Sequence, residues 1–147
     1  LPLAYHGNDG GDLNIESRCA EVLDAVGIPE RQRKGIRPVS LNREERVRVA
    51  VGRALVTKPR IFMVDDALVG LDQVATDQLV SILFGPQTKD ADLRLLTTSR
   101  LAPFLWKADH FFLLVEGKLI YLGGSEEVVE HAHPWVKKDR EGITLPI

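Results

Sequence analysis

Apolar positions along the chain keep two different spacings, and the change falls near Pro59. Before it the spacing is helical. Ile15, Cys19, Val22, Leu23 and Val26 recur at i, i+4, i+7, i+8 and i+11. Asn14 stands where an N-cap belongs, Gly27 just past the end and Pro29 beyond it, which predicts a helix of about three turns. After the loop 28-IPERQRKGIRPVS-40, Val47, Ala50, Val51, Ala54 and Leu55 predict a second helix, stopped by 58-KP-59. Asn42 with Glu45 three residues on predicts a capping box at its start, each side chain satisfying a backbone N–H of the other's turn.

Beyond Pro59 the apolar runs are short and bounded by turn residues. The segments 60-RIFMV-64, 93-LRLLT-97, 111-FFLLV-115 and 118-KLIYL-122 predict largely buried strands. Ala75, Leu79, Ile82 and Leu83 predict a helix between the first two, and a shorter helical piece starts at Leu101 with Pro103 in its first turn. Alternating strand and helix implies right-handed crossovers and a parallel sheet. Around 116-EG-117 the last two strands read as a hairpin, and Ser125 reads as the cap of a final helix with Glu126 and Glu127 in its first turn. The domain organisation is a helical part, 1–58, followed by an α/β part, 59–147.

Composition narrows the picture modestly. Of 147 residues, 44% are hydrophobic and 27% charged, enough for a folded domain with a core. A net charge of −2 with dispersed Lys and Arg leaves no basic footprint, so nucleic acid is not an expected partner. The longest apolar runs fall far short of the roughly 18 residues needed to cross a bilayer. The first residues, 1-LPLAYHGNDGGD-12, lack a secretory pattern, so a cytoplasmic location is expected. Cys19 is the single cysteine and reads as a small core residue.

Chemistry enters at 61-IFMVDDALVGLD-72, where an apolar strand runs into two adjacent aspartates. In open parallel sheets ligands bind at the carboxyl ends of the strands. A carboxylate there can hold Mg²⁺, directly or through water, and its neighbour can orient a water against a nucleotide phosphate. Alone, the string reads more readily as a strand-end cap at Asp65 and the start of a turn at Asp66.

Four blocks in order carry a resemblance. The residues 48-RVAVGRALVTKPRIFMVDD-66, 69-VGLD-72, 96-LTTSRL-101 and 108-ADHFFLLVEGKLIYLGGSEEV-128 together resemble the C-terminal half of an ABC-transporter ATPase subunit. The resemblance implies an ABC-type α/β P-loop NTPase fold, a RecA-like parallel sheet with a helical subdomain. It also implies ATP and Mg²⁺ as cofactors, if an upstream P-loop segment is present, with Asp65 as the metal-relay residue, Asp66 at the catalytic glutamate's position and Asp72 as the D-loop aspartate. Asn42, Arg43, Glu44 and Glu45 fall at the nucleotide-facing signature, and Ser99 at the switch histidine. The implied partners are a second ATPase subunit, identical or not, and a membrane permease, with the chain peripheral on the inner face of the cytoplasmic membrane. Within the family, 68-LVGLD-72, Ala108-Asp109-His110 and 133-HPWVK-137 most resemble the Mla-type ATPases of phospholipid transport, whose further partner is an MCE-type lipid-binding protein.

The departures from that pattern are chemical. Where the family has Leu-Ser-Gly-Gly-Gln, this chain has 41-LNREE-45. The family's small residues let backbone N–H groups approach a phosphate at a helix N-terminus. Arg43 and Glu44 put side chains in that space, and Glu44 and Glu45 add like charge that repels a phosphate by an amount on the order of several kcal/mol. Asp66 is one methylene shorter than Glu, about 1.5 Å, and a displacement of about 1 Å can cost on the order of a hundredfold in rate. Ser99 can donate a hydrogen bond but carries no charge.

No Gly-x-x-x-x-Gly-Lys-Ser/Thr loop occurs in the chain, and the glycines of 7-GNDGG-11 read as a surface loop. The Walker A segment is therefore expected either upstream or not at all. Weak or absent hydrolysis, a purely scaffolding subunit, and an active enzyme compensated elsewhere all stay open. Other conspicuous residues read blandly. His131 and His133 are helix-end histidines without a ligand cluster, 31-RQRK-34 is a solvated loop, Phe104, Leu105 and Trp106 pack a short helix onto the sheet, and Trp135 anchors the tail.

Overall fold

The computed structural model describes residues 15–30, 33, 37–131 and 133–140. The expected cap Asn14, the loop 7-GNDGG-11 and most of 31-RQRK-34 lie outside them. Two compact units emerge, residues 1–97 and residues 98–147. The division follows Thr97, so the helical stretch and the first two strands share one unit, although the apolar spacing changes at Pro59.

In the first unit, α1 (Ile15–Ala25) packs against α2 (Arg43–Leu55). The helices meet at Gly52, where a Cβ would touch methyl groups of both Val22 and Val26 at 3.4 Å, an ordinary van der Waals contact. α1 ends in a Schellman arrangement, Gly27 N–H donating to Asp24 O at 2.9 Å and Ile28 N–H to Leu23 O at 2.8 Å. Arg18 crosses from α1 to close the other helix end, its Nη2 donating to Leu55 O at 3.1 Å. The capping box at the head of α2 forms as its spacing predicts: Glu45 N–H donates to Asn42 Oδ1 and Asn42 N–H to Glu45 Oε2, both at 2.9 Å. Cys19 is half-buried rather than fully enclosed.

Strand β1 (Ile61–Asp65) pairs in parallel with β2 (Leu93–Thr97), from Ile61 opposite Leu93 to Asp65 opposite Thr97. Between them runs α3 (Gln73–Leu83), which buries Ala75, Leu79, Ile82 and Leu83 as its spacing predicts, and Thr76 and Val80 beside them. The guanidinium of Arg94 on β2 covers the Phe84 ring at the end of α3, 5.2 Å from its centroid. The strands are less buried than expected. Phe62 is enclosed, but Ile61, Met63, Leu93 and Leu95 form an exposed apolar face, because among the described residues β1 pairs only with β2 and nothing covers that side.

The second unit is a hairpin with short helices. β3 (Phe111–Val115) and β4 (Lys118–Gly123) pair antiparallel. Glu116 and Gly117 both take positive φ, 50° and 73°, the turn whose twist matches the flanking strands. Here too one face, Phe112, Leu114, Leu119 and Tyr121, is exposed. The expected helical piece near Leu101 is a single 3-10 turn, Ala102–Phe104. Phe104 is buried within it, but Trp106 is 72% exposed and does not pack as anticipated. α4 (Ser125–Glu130) packs on β4, and its cap is Gly124 rather than Ser125, because Glu127 Oε2 reaches back to Gly124 N–H at 2.9 Å. The tail forms a further helix, α5 (Pro134–Arg140), which encloses Val136 completely and leaves Trp135 half-buried.

The orientation of α3 is directly testable. Leu79→Ala, at a position 1% exposed, should lower unfolding free energy by about 2–5 kcal/mol in a urea titration. Val74→Ala, one turn earlier on the exposed face, should change it by less than about 0.5 kcal/mol.

Candidate functional site

The acidic pair sits at the carboxyl end of β1, and the neighbouring strand builds its support. Thr97, directly opposite Asp65, donates its hydroxyl hydrogen to Asp65 Oδ1. The same threonine accepts from the Asp66 backbone N–H at two atoms, its carbonyl and its Oγ1, each 3.1 Å away. Asp66 leaves the strand with φ +42°, a left-handed conformation that aspartate tolerates better than most residues. Its Oδ1 is buried and meets no hydrogen-bond partner among the described residues. A buried carboxylate oxygen without a partner is costly unless a cation or water satisfies it.

Beyond the pair, the chain turns through residues 66–72 into α3. Leu68 anchors this turn at 2% exposure. Asp72 is the N-cap of α3, its Oδ1 accepting from Ala75 N–H at 2.8 Å. A cleft of about 370 Å³ opens between α2 and β1, lined by Arg43, Val47, Val51, Phe62, Asp65 and Asp66 among others. The fold thus brings one of the four signature-like residues, Arg43, into the same cleft as both aspartates.

The other three are turned inward along their own helix. Asn42 and Glu45 close the capping box. Glu44 accepts from Arg48, one turn on, and Arg48 also reaches the Gln78 side chain on α3. Arg43 donates from Nε to Val69 O at 2.6 Å. So all four side chains are engaged within this chain. Ser99 lies in the second compact unit, half-buried in the loop after β2, beside a local link in which Arg100 N–H donates to Thr98 Oγ1 at 3.0 Å.

Two supports were not legible in the sequence. Thr97 is signalled only by ending a strand in parallel register with the one carrying the aspartates. Arg48 looks like an ordinary helix-surface arginine, yet its side chain is only 12% exposed and it joins Val26, just past α1, to Glu44 and to Gln78 on α3. Among the described residues no group of three or more His, Cys, Asp or Glu could hold a metal, and His131 and His133 accept local backbone N–H bonds instead. Magnesium asks for less, often one or two carboxylates with waters. Adjacent carboxylates, one exposed and one with an orphaned oxygen, fit that requirement. No helix of the described residues is long and apolar enough to cross a membrane.

With this geometry in view, comparison with solved structures defines the class: the chain carries the α/β fold of an ABC-type ATP-binding cassette. It superposes on a cassette of an ABC transporter in its ADP conformation with a TM-score of 0.70 at 20% identity, over 95% of this chain and 54% of that one. A nucleotide-free cassette gives the same TM-score over 94% and 54%. In sequence the chain is similar to the methionine import ATP-binding protein MetN 1 of Yersinia pestis, 31% identical over 136 residues, 89% of this chain and 37% of that protein. It is also similar to the molybdenum import ATP-binding protein ModC of Pectobacterium atrosepticum, 33% identical over 90% of this chain and 38% of that protein. A MetN of Clostridioides difficile is 27% identical over 99% of this chain. The chain therefore spans less than half the length of these curated relatives, 37% to 45%. No family model matches it.

Thr97→Val removes the hydroxyl that serves both aspartates and should cost about 0.5–1.5 kcal/mol, read as a lower urea midpoint at unchanged slope. Thr97→Ser keeps the hydroxyl and should recover most of that loss.

Proposed function

We propose that this chain is part of the ATP-binding subunit of an ABC import system, with weak or absent hydrolysis of its own. One observation carries the reading: the paired carboxylates at the end of β1, held by Thr97, with the Asp66 oxygen left without a partner. In this reading Asp65 would hold Mg²⁺ directly or through water, and Asp66 would orient a water near the phosphate. Magnesium, when bound, would neutralise charge on the phosphate oxygens. Asp72 would meet a second ATPase subunit, and Ser99 would stand at the switch position with a neutral hydroxyl.

The weak-hydrolysis part follows from how the signature-like residues are used. Helix N-termini bind anions through free N–H groups and a positive dipole end. Here the capping box occupies the Glu45 N–H, and two glutamates stand in the first turn. Asn42, Arg43, Glu44 and Glu45 would therefore offer ATP little from this helix. The helical part, 1–58, would carry that modified signature, and 59–147 the acidic pair and switch.

On cargo, similarity to the methionine and molybdenum import proteins extends over about nine-tenths of the chain. That favours import of a small solute. The phospholipid reading, with an MCE-type lipid-binding partner, is supported only by 68-LVGLD-72, Ala108-Asp109-His110 and 133-HPWVK-137. A membrane permease would be the docking partner in either case, with the chain peripheral on the inner face of the cytoplasmic membrane. The rival of another class is a subunit that docks or dimerises without nucleotide.

Calorimetry of the purified protein with ATP and Mg²⁺, followed by phosphate release, separates these. Binding with a micromolar Kd, roughly −8 kcal/mol, together with release that Asp66→Glu raises about tenfold or more, supports the nucleotide reading. Absence of binding heat leaves the docking subunit or a piece that needs a Walker A segment from outside these residues, and the sequence upstream then decides between the two.

A further inference from the structure

We propose that Arg43 is a latch, tying the first turn of α2 to the turn 66–72 within the same chain so that the two segments move as one piece. The observations are independent of any nucleotide. Arg43 Nε donates to Val69 O at 2.6 Å, across 26 positions of sequence. Its guanidinium also lies against Gly70. A Cβ on that glycine would stand 2.8 Å from Arg43 Nε and 3.3 Å from both Cδ and Cζ. Gly70 has φ +73° as well, so any side chain there would be strained by the backbone and would push the arginine off.

The rest of the turn is pinned at its ends, which leaves its middle to Arg43. Asp66 N–H is held by Thr97, Leu68 is enclosed, and Asp72 caps α3. Between Leu68 and Asp72 the backbone bonds are few: Val69 N–H to Asp66 O at 3.4 Å and Leu71 N–H to Leu68 O at 3.2 Å. Val69 is 43% exposed and Arg43 is exposed too, so the latch lies at the surface and can open without unfolding the core. The planar guanidinium suits this place, since its Nε–H keeps a fixed direction that an ammonium lacks.

The latch spends in cis two backbone positions that face outward, the Val69 carbonyl and the Gly70 Cα. A second subunit approaching either segment would have to displace Arg43 first. That consequence rests on the dimer reading given above; the latch does not.

Hydrogen exchange of the full chain, followed by mass spectrometry on peptides covering 66–72, tests it without nucleotide or partner. Arg43→Ala should raise exchange at the Val69 and Leu71 amides roughly threefold to tenfold. Arg46→Ala, an exposed arginine one turn on, should leave them unchanged. Gly70→Ala should raise the same amides, and adding it to Arg43→Ala should give less than the two effects combined, because both break one contact. Unchanged exchange in Arg43→Ala would overturn the latch. So would a rise spread evenly over α2 and β1, which would mark Arg43 as a contributor to global stability instead. Failure to bind ATP in calorimetry would bear on the nucleotide reading alone and leave this result standing.

Discussion

Everything at the candidate site depends on the parallel register of β1 and β2. Because Asp65 lies opposite Thr97, a single threonine reaches the side chain of one aspartate and the backbone of the next. A slip of one residue would turn the Thr97 hydroxyl to the other face of the sheet, since successive strand side chains alternate. Asp66 would then lose the bonds that hold its left-handed turn. The orphaned oxygen of Asp66 lies at the same corner, buried and without a hydrogen-bond partner among the described residues.

A second constraint competes with the first. A helix N-terminus can serve its own fold or a ligand, and α2 serves its own fold. Asn42, Glu44 and Glu45 all bond within the helix, and Arg43 bonds to Val69 in the turn between β1 and α3. Capping of this kind contributes about 1 kcal/mol, and every donor it satisfies is one fewer aimed at an anion. In the proposed reading, the three positions that stabilise the helix would weaken it as a phosphate site. Burial tells a related story for the strands. Four apolar side chains on the β1–β2 sheet and four on the hairpin stay exposed, a pattern that in folded proteins marks surfaces meant to be covered.

Much of this was legible before any coordinates. The four strands fall within a residue of their apolar runs, α2 starts at its capping box, and the turn at Glu116-Gly117 forms where the two residues demand it. These features are set by neighbours within about four positions. The misreadings have the opposite character. Ser125 is the better cap by residue type, yet Glu127 places the cap at Gly124. Trp106 is the largest aromatic of its segment and is left outside, because the helical turn ends at Phe104 and Trp106 falls two residues beyond it.

What spacing and residue type establish alone is therefore the local layer: periods, caps, turns, and an aspartate pair at the tip of a strand. What they leave open is which distant groups those side chains meet. Thr97 stands 32 positions from Asp65 and Val69 stands 26 from Arg43. Such partners are chosen by strand register and by where a helix comes to rest on its neighbours. Both follow from packing of the whole chain, and no stretch of sequence carries them.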